Sequence, residues 1–130
     1  MDGVVFSGFV PYLHCEDAVA MLEWYARVFG FEEKARWPDA SGAVRNAEMV
    51  VGDTELWLDG SGPGWWANKG RGPEQWIGVW VDDPDAMWER VRAAGIDTEA
   101  PEDKPYGVRV LSVTDPEGYS WGFMRRLATA

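Results

Sequence analysis

Nine tryptophans stand among 130 residues, about 7% of the chain where about one percent is ordinary for a soluble protein. Several occupy single, alternating positions in strand-like runs: Trp57 in TELWLD, and Trp76 and Trp80 in WIGVWVD. An indole face stacks on flat heteroaromatic rings for about 0.5–1.5 kcal/mol beyond the area buried, and it attracts a cation for about 0.5–2 kcal/mol. The chemistry on offer is recognition. The carboxylates of Glu48, Glu55, Asp59 and Asp82 lie on or beside the same runs and would complement a positive charge on the ligand.

Reactive side chains are scarce by comparison. His14 is the only histidine and Cys15 the only cysteine. Strand alternation places His14 with Val10 and Tyr12 on one face, and Cys15 on the other as a small core residue. His14 is then either a hydrogen-bonding surface group or a base within the site. Glu48 shares a face with Asn46, either as a counter-charge within the site or as a solvated rim residue. No GxGxxG, GxxxxGK[ST], GxSxG or HExxH motif occurs, and one histidine leaves no readable Ser-His-Asp arrangement. The residues therefore name no catalytic group and no cofactor.

These side chains need a scaffold of strands, and the order of elements supplies one twice. Residues 4–15 read as a strand. Asp17 caps a helix that runs to Gly30 with Val19, Leu22, Ala26 and Phe29 as its buried stripe. Strands follow at 31–37, 43–51 and 54–58. The order recurs as a strand at 75–83, a helix from Pro84 to Ala94, a short strand at 96–100 and strands at 106–113 and 118–124. DAVAMLE (17–23) and DPDAMWE (83–89) share Asp, Ala, Met and Glu in register. The expectation is one α+β domain over 1–130, with one βαβββ module at about 4–59, a second at about 75–126, and a linker or lid over 60–74. Trp65 and Trp66 sit in that Gly- and Pro-rich linker and could pack inside it, meet a second copy, or close over a ligand. Alternation sends Leu56, Leu58, Ile77, Val79, Val81, Tyr119, Trp121 and Phe123 toward the helices. Trp57, Asp59, Trp76, Trp80, Ser120, Gly122 and Met124 take the opposite, cup-side face.

A charge of −10, from 12 basic and 22 acidic residues, argues against nucleic acid and against anionic membrane surfaces. No apolar run approaches the ~20 residues that span a bilayer. The opening MDGVVFSGFV lacks a basic leader with a long apolar core, and one cysteine cannot form an internal disulfide, so the expected location is cytoplasmic.

The duplicated βαβββ order, the Asp-capped helix with Trp24-Tyr25 and a Phe-Gly-Phe exit at 29–31, and the closing DPEGYSWGF at 115–123 resemble the vicinal oxygen chelate superfamily. That superfamily includes glyoxalase I, extradiol dioxygenases and bleomycin-resistance proteins. The resemblance implies cup-shaped mixed sheets with helices on their outer face, and metal-ligand positions that fall here on Val10, Trp57, Trp76 and Gly122. None of the four supplies a donor for a divalent ion. The expectation is accordingly a metal-independent binding protein, similar to the bleomycin-resistance group, that sequesters an aromatic antibiotic or metabolite, neutral or cationic. Tyr12, Val10, Trp37, Glu48, Trp57, Asp59, Trp65, Trp66, Trp76, Trp80 and Gly122 are its expected ligand-binding residues. The resemblance further implies a homodimer. The alternative is a metal-dependent lyase, isomerase or dioxygenase with a rearranged site drawn from His14, Glu48 and Asp59 or Asp82.

Overall fold

A computed structural model describes residues 3–128. Eight strands form two four-stranded sheets. The first contains β1 (Tyr12–Cys15), β2 (Glu32–Pro38), β3 (Val44–Val51) and β4 (Thr54–Gly60), ordered β1-β4-β3-β2. The second contains β5 (Trp76–Trp80), β6 (Glu102–Asp103), β7 (Val108–Thr114) and β8 (Ser120–Arg126), ordered β5-β8-β7-β6. In each, the first strand runs parallel to the last and the others are antiparallel, so the two modules repeat one topology. The helices are α1 (Ala18–Trp24), α2 (Trp65–Lys69) and α3 (Pro84–Ala93). Asp17 and Asp83 cap α1 and α3 alike, each carboxylate accepting a backbone N–H at 3.0 Å, from Ala20 and from Ala86. Among the described residues no helix is long and apolar enough to cross a membrane.

The helix-facing parity of the strands holds. Leu13, Cys15, Ala47, Met49, Leu56, Leu58, Leu111, Val113, Trp121 and Phe123 are all buried in one apolar cluster, with Ile77, Val79 and Val81 packed against it. Both modules contribute to this cluster because α1 does not end as a simple helix. Its chain continues as a π-turn over Tyr25–Phe29, and Phe29 reaches the second sheet, 4.7 Å from Phe123 and 5.3 Å from Trp121 between ring centroids.

Three local expectations are corrected. The first strand is only Tyr12–Cys15, not 4–15: Pro11 has no N–H for a ladder, and the chain leaves β4 there, so Phe6 and Phe9 are 93% and 94% exposed. The buried stripe of α1 and its π-turn is Ala18, Met21, Leu22, Tyr25, Val28 and Phe29, with Val19 half-buried and Ala26 exposed. Tyr25 sets that register, because its hydroxyl finds a buried partner in the other module. No strand forms at 96–100. That segment is held instead by side chains, Thr98 Oγ1 donating to the Ser112 carbonyl at 2.6 Å and Trp88 Nε1 to the Thr98 carbonyl at 3.0 Å.

The DPEG turn joins the modules. Asp115 is 4% exposed and takes five donors: Tyr25 Oη at 2.5 Å and Trp121 Nε1 at 2.9 Å on Oδ2, and the N–H groups of Glu117, Gly118 and Tyr119 at 2.9, 3.0 and 3.0 Å on Oδ1. Burial and the adjacent Asp115 carboxylate hold the Tyr25 phenol protonated, far above its ordinary range. Two residues on, Glu117 accepts from the Glu16 N–H at 3.0 Å and from Trp66 Nε1 at 2.6 Å, while Glu16 accepts from the Trp66 N–H at 3.0 Å. Helix α2 is thus moored to the hairpin by two carboxylates.

Asp115→Ala strands a buried phenol and an indole N–H together, and should cost about 3–5 kcal/mol in a denaturant-unfolding measurement, against about 1–2 for Tyr25→Phe. Glu117→Ala should cost only about 1–2 kcal/mol yet release α2, read as faster tryptic cleavage after Lys69 and Arg71 than in the parent protein.

Candidate functional site

The parallel edge strands β1 and β5 flank a cleft of about 760 Å³ that α2 and the 71–75 segment border. Its walls include Tyr12 and His14 from β1, Trp65 and Trp66 from α2, Trp76 from β5, and Tyr119 and Met124 from the β7–β8 hairpin and β8. A second cavity of about 370 Å³ opens beside it over Ser112, Thr114, Ser120 and Asp97. Trp76 lines both.

Trp76 owes its placement to two missing side chains. Gly78 pairs with Gly122 across β5 and β8. A Cβ on Gly122 would sit 2.3 Å from Trp76 Cζ2, and one on Gly78 would sit 2.8 Å from Cζ3. The indole therefore lies flat along the sheet, and the residue remains 54% exposed. Gly122 contributes to the site by what it lacks.

The other indoles are engaged by the chain itself. Trp65 has the His14 ring stacked at 4.4 Å and the Lys69 ammonium at 4.5 Å from its centroid. Trp66 is half-buried against Tyr119 as well as bonded to Glu117 and Glu16. Both therefore seat α2 and present only their remaining surface to the cleft. Trp80 lies beneath the Arg126 guanidinium at 4.6 Å, outside the cleft walls.

Trp57, Trp37, Glu48 and Asp59 occupy the open face of the first sheet. Trp57 donates to Glu55 at 2.9 Å and meets Tyr12 edge-on at 5.9 Å, and Trp37 pairs with Asn46 across β2 and β3. Lys34 binds Glu55 at 2.8 Å and approaches Glu48 at 3.9 Å, so its ammonium holds the Glu55 carboxyl below the usual carboxylate range. Tyr12 donates to Asn46 at 2.5 Å. This face is aromatic and acidic, with one lysine against three carboxylates. Val10 belongs to the chain ahead of β1 and is absent from the cleft walls.

Of the expected residues, the structure brings together Tyr12, Trp65, Trp66 and Trp76 at the cleft, with Gly122 beneath. His14, Tyr119 and Met124 join them unpredicted as a set. His14 and Met124 had the cup-side parity, whereas Tyr119, assigned by alternation to the core, is indeed buried there and borders the cleft from within. Cys15 takes no part: it is fully buried, and burial pushes its thiol far above the ordinary range.

Metal-dependent chemistry is associated with this fold, and the donors do not fit it. Val10, Trp57, Trp76 and Gly122 offer no usable lone pair, and no three His, Cys, Asp or Glu side chains among the described residues are grouped to hold an ion.

The comparisons with known proteins agree with this architecture. TioX from Micromonospora sp. ML1 is 34% identical, superposes with a TM-score of 0.76, and the match covers 94% of this chain and all of that one. The bleomycin-binding protein of Streptomyces verticillus, solved with copper(II)-bleomycin, superposes at 0.69 with 24% identity over 97% of this chain and 99% of the other. Lactoylglutathione lyase from Agrobacterium tumefaciens superposes at 0.70 with 23% identity over 92% and 94%. The latter two share the fold alone. A family model matches residues 10–123, nearly the whole duplicated unit, and the chain belongs to the Glyoxalase/Bleomycin resistance protein/Dioxygenase superfamily.

Proposed function

We propose that this protein binds and sequesters a flat aromatic ligand, cationic in character, without metal-dependent chemistry. The observation that carries the proposal is Trp76, laid flat over the Gly78–Gly122 pair with its indole bordering both cavities. A sheet-bound indole is a stacking platform. Such a platform gains affinity because the fold has already fixed its orientation. The cationic preference is supported by the charge of −10 and by the surplus of carboxylates on the first sheet, which raise the local concentration of positive ligands. The fold's capacity for such a role is supported by the Streptomyces verticillus protein, which carries copper(II)-bleomycin. The Agrobacterium tumefaciens lyase superposes equally well, so the preference for binding over metal-dependent lyase chemistry rests on the donors that Val10, Trp57, Trp76 and Gly122 lack and not on the fold.

Two chains make up the functional unit in this reading. The exposed Phe6 and Phe9, with Val5, form an apolar arm whose sequence is strand-like and whose side chains find no cover within the chain, and a second copy would supply that cover.

Proflavine, a planar aromatic cation, is a suitable probe. Trp76→Ala should weaken its binding by about 1–3 kcal/mol in a fluorescence titration with little change in melting temperature. Gly122→Ala should weaken binding too, since its new methyl displaces the indole. Trp121→Ala should instead cost about 3–5 kcal/mol of stability. Equal stability loss for Trp76→Ala and Trp121→Ala would defeat the platform argument. Light scattering at micromolar concentration should give twice the chain mass, and Phe6→Ser with Phe9→Ser should shift it toward the monomer.

A further inference from the structure

We propose that His14 is the polar anchor of the cleft: its Nε2 carries a lone pair that accepts a hydrogen bond from an N–H or O–H at the rim of the stacked ligand. The inference rests on the aromatic-ligand reading and adds the ligand's chemistry, a flat ring system bearing amino or hydroxyl donors.

The argument begins at the other edge of the ring. Nδ1 lies 2.9 Å from Ser61 Oγ and 3.6 Å from Asp59 Oδ2. Ser61 Oγ has the Asp59 carbonyl within donating reach at 3.4 Å, which lets its oxygen accept from Nδ1. The Asp59 carboxylate adds a negative field on the same side. Both neighbours thus favour a proton on Nδ1, and a neutral imidazole protonated there has a bare Nε2.

The ring is also fixed in place. Trp65 stacks on it at 4.4 Å, His14 is paired with Asp59 across β1 and β4, and Tyr119 Oη donates to the His14 carbonyl at 2.9 Å. With Nδ1 turned to Ser61 and one face against Trp65, the edge left for the cleft is that of Nε2. Among the described residues nothing bonds to it, and the side chain is half exposed. Ser61 and Asp59 are positioning residues in this arrangement.

Protonation of the ring would convert the acceptor into a donor and add a positive charge beside a cationic ligand. The groups that face the ring are Asp59 on β4, Lys69 on α2 across Trp65, and Tyr12 on its own strand. Arg71 and Glu74, paired at 3.1 Å, line the same cleft, and the Glu16 and Glu117 carboxylates are turned to Trp66.

Because His14 is the only histidine, imidazole ¹⁵N NMR of the free protein reads this ring alone. Near pH 8 it should show Nδ1 protonated and Nε2 bare, and Ser61→Ala should move the ring toward the opposite tautomer. A proton on Nε2 in the parent protein would overturn the proposal before any ligand is added. The binding arm compares proflavine, which has exocyclic N–H donors, with acridine orange, whose corresponding nitrogens are methylated. The protein should prefer proflavine by about fivefold to tenfold at pH 7.5, and the preference should vanish in His14→Phe, which keeps a ring on Trp65 and has no acceptor. Equal binding of the two dyes, or a preference that survives in a folded His14→Phe variant, overturns the role of His14 and leaves the aromatic reading standing. Failure of both dyes to bind overturns that reading and this inference with it.

Discussion

Everything that gives this molecule a site depends on where the DPEG turn places two carboxylates. Asp115 collects Tyr25, Trp121 and three backbone N–H groups in the interior, and Glu117 reaches back to Glu16 and to Trp66. Tyr119, at the end of the same turn, holds the His14 carbonyl. One hairpin of the second module thereby fixes α1, β1 and α2, all of which precede it in the chain. A buried carboxylate is costly unless its oxygens are fully occupied, and five donors occupy this one. Four of those donors come from the hairpin itself and the fifth, Tyr25 Oη, from the first module, so the set is complete only when both modules are in place.

With the cleft so framed, the two sheets contribute unlike surfaces. The first offers Tyr12, Trp57 and Trp37 among Glu48, Glu55 and Asp59, with Lys34 in partial compensation. The second offers an indole on a glycine floor and another beneath Arg126. Apart from Tyr12, the acidic, aromatic face of the first sheet and the Trp80–Arg126 pair of the second both lie outside the cleft walls, so within the cleft itself the two sheets meet through Tyr12 and His14 on one side and Trp76 on the other.

Much of this was legible in the sequence, and the reasons differ by residue. Period-two alternation is dictated by backbone geometry, so Trp121 and Phe123 could be assigned to the core and Trp76 and Trp80 to the open face without knowing any tertiary contact. The caps Asp17 and Asp83 are equally local. What stayed hidden is non-local. Nothing near Tyr25 announces Asp115, 90 residues away, yet that bond sets which side of α1 is buried. The segment at 5–10 has a strand's composition but joins no sheet among the described residues, and composition cannot supply a partner strand. Trp65 and Trp66 were recognisable as unusual, but their partners His14, Lys69, Glu117 and Glu16 come from three separate segments.

The tryptophan at position 76 and the glycines at 78 and 122 are best understood together, as one change of recognition chemistry. A metal site draws its affinity from converging lone pairs, each directional, and the loss of one donor weakens the whole set. A stacking site draws its affinity from area and polarisability, which tolerate ligands of varied outline. Passing from the first to the second requires more than an aromatic residue at a donor position. The indole must lie down, and on a sheet it can do so only where the strand beside it has no Cβ. Gly122 meets that requirement and, by the same absence of a side chain, offers no donor to an ion. A histidine placed at 76 would find Val10, Trp57 and Gly122 at the remaining positions and no partner with which to bind an ion. The selectivity that directional donors would have provided must then come from elsewhere in the cleft, and His14 is the group there whose orientation is fixed on both its ring and its backbone.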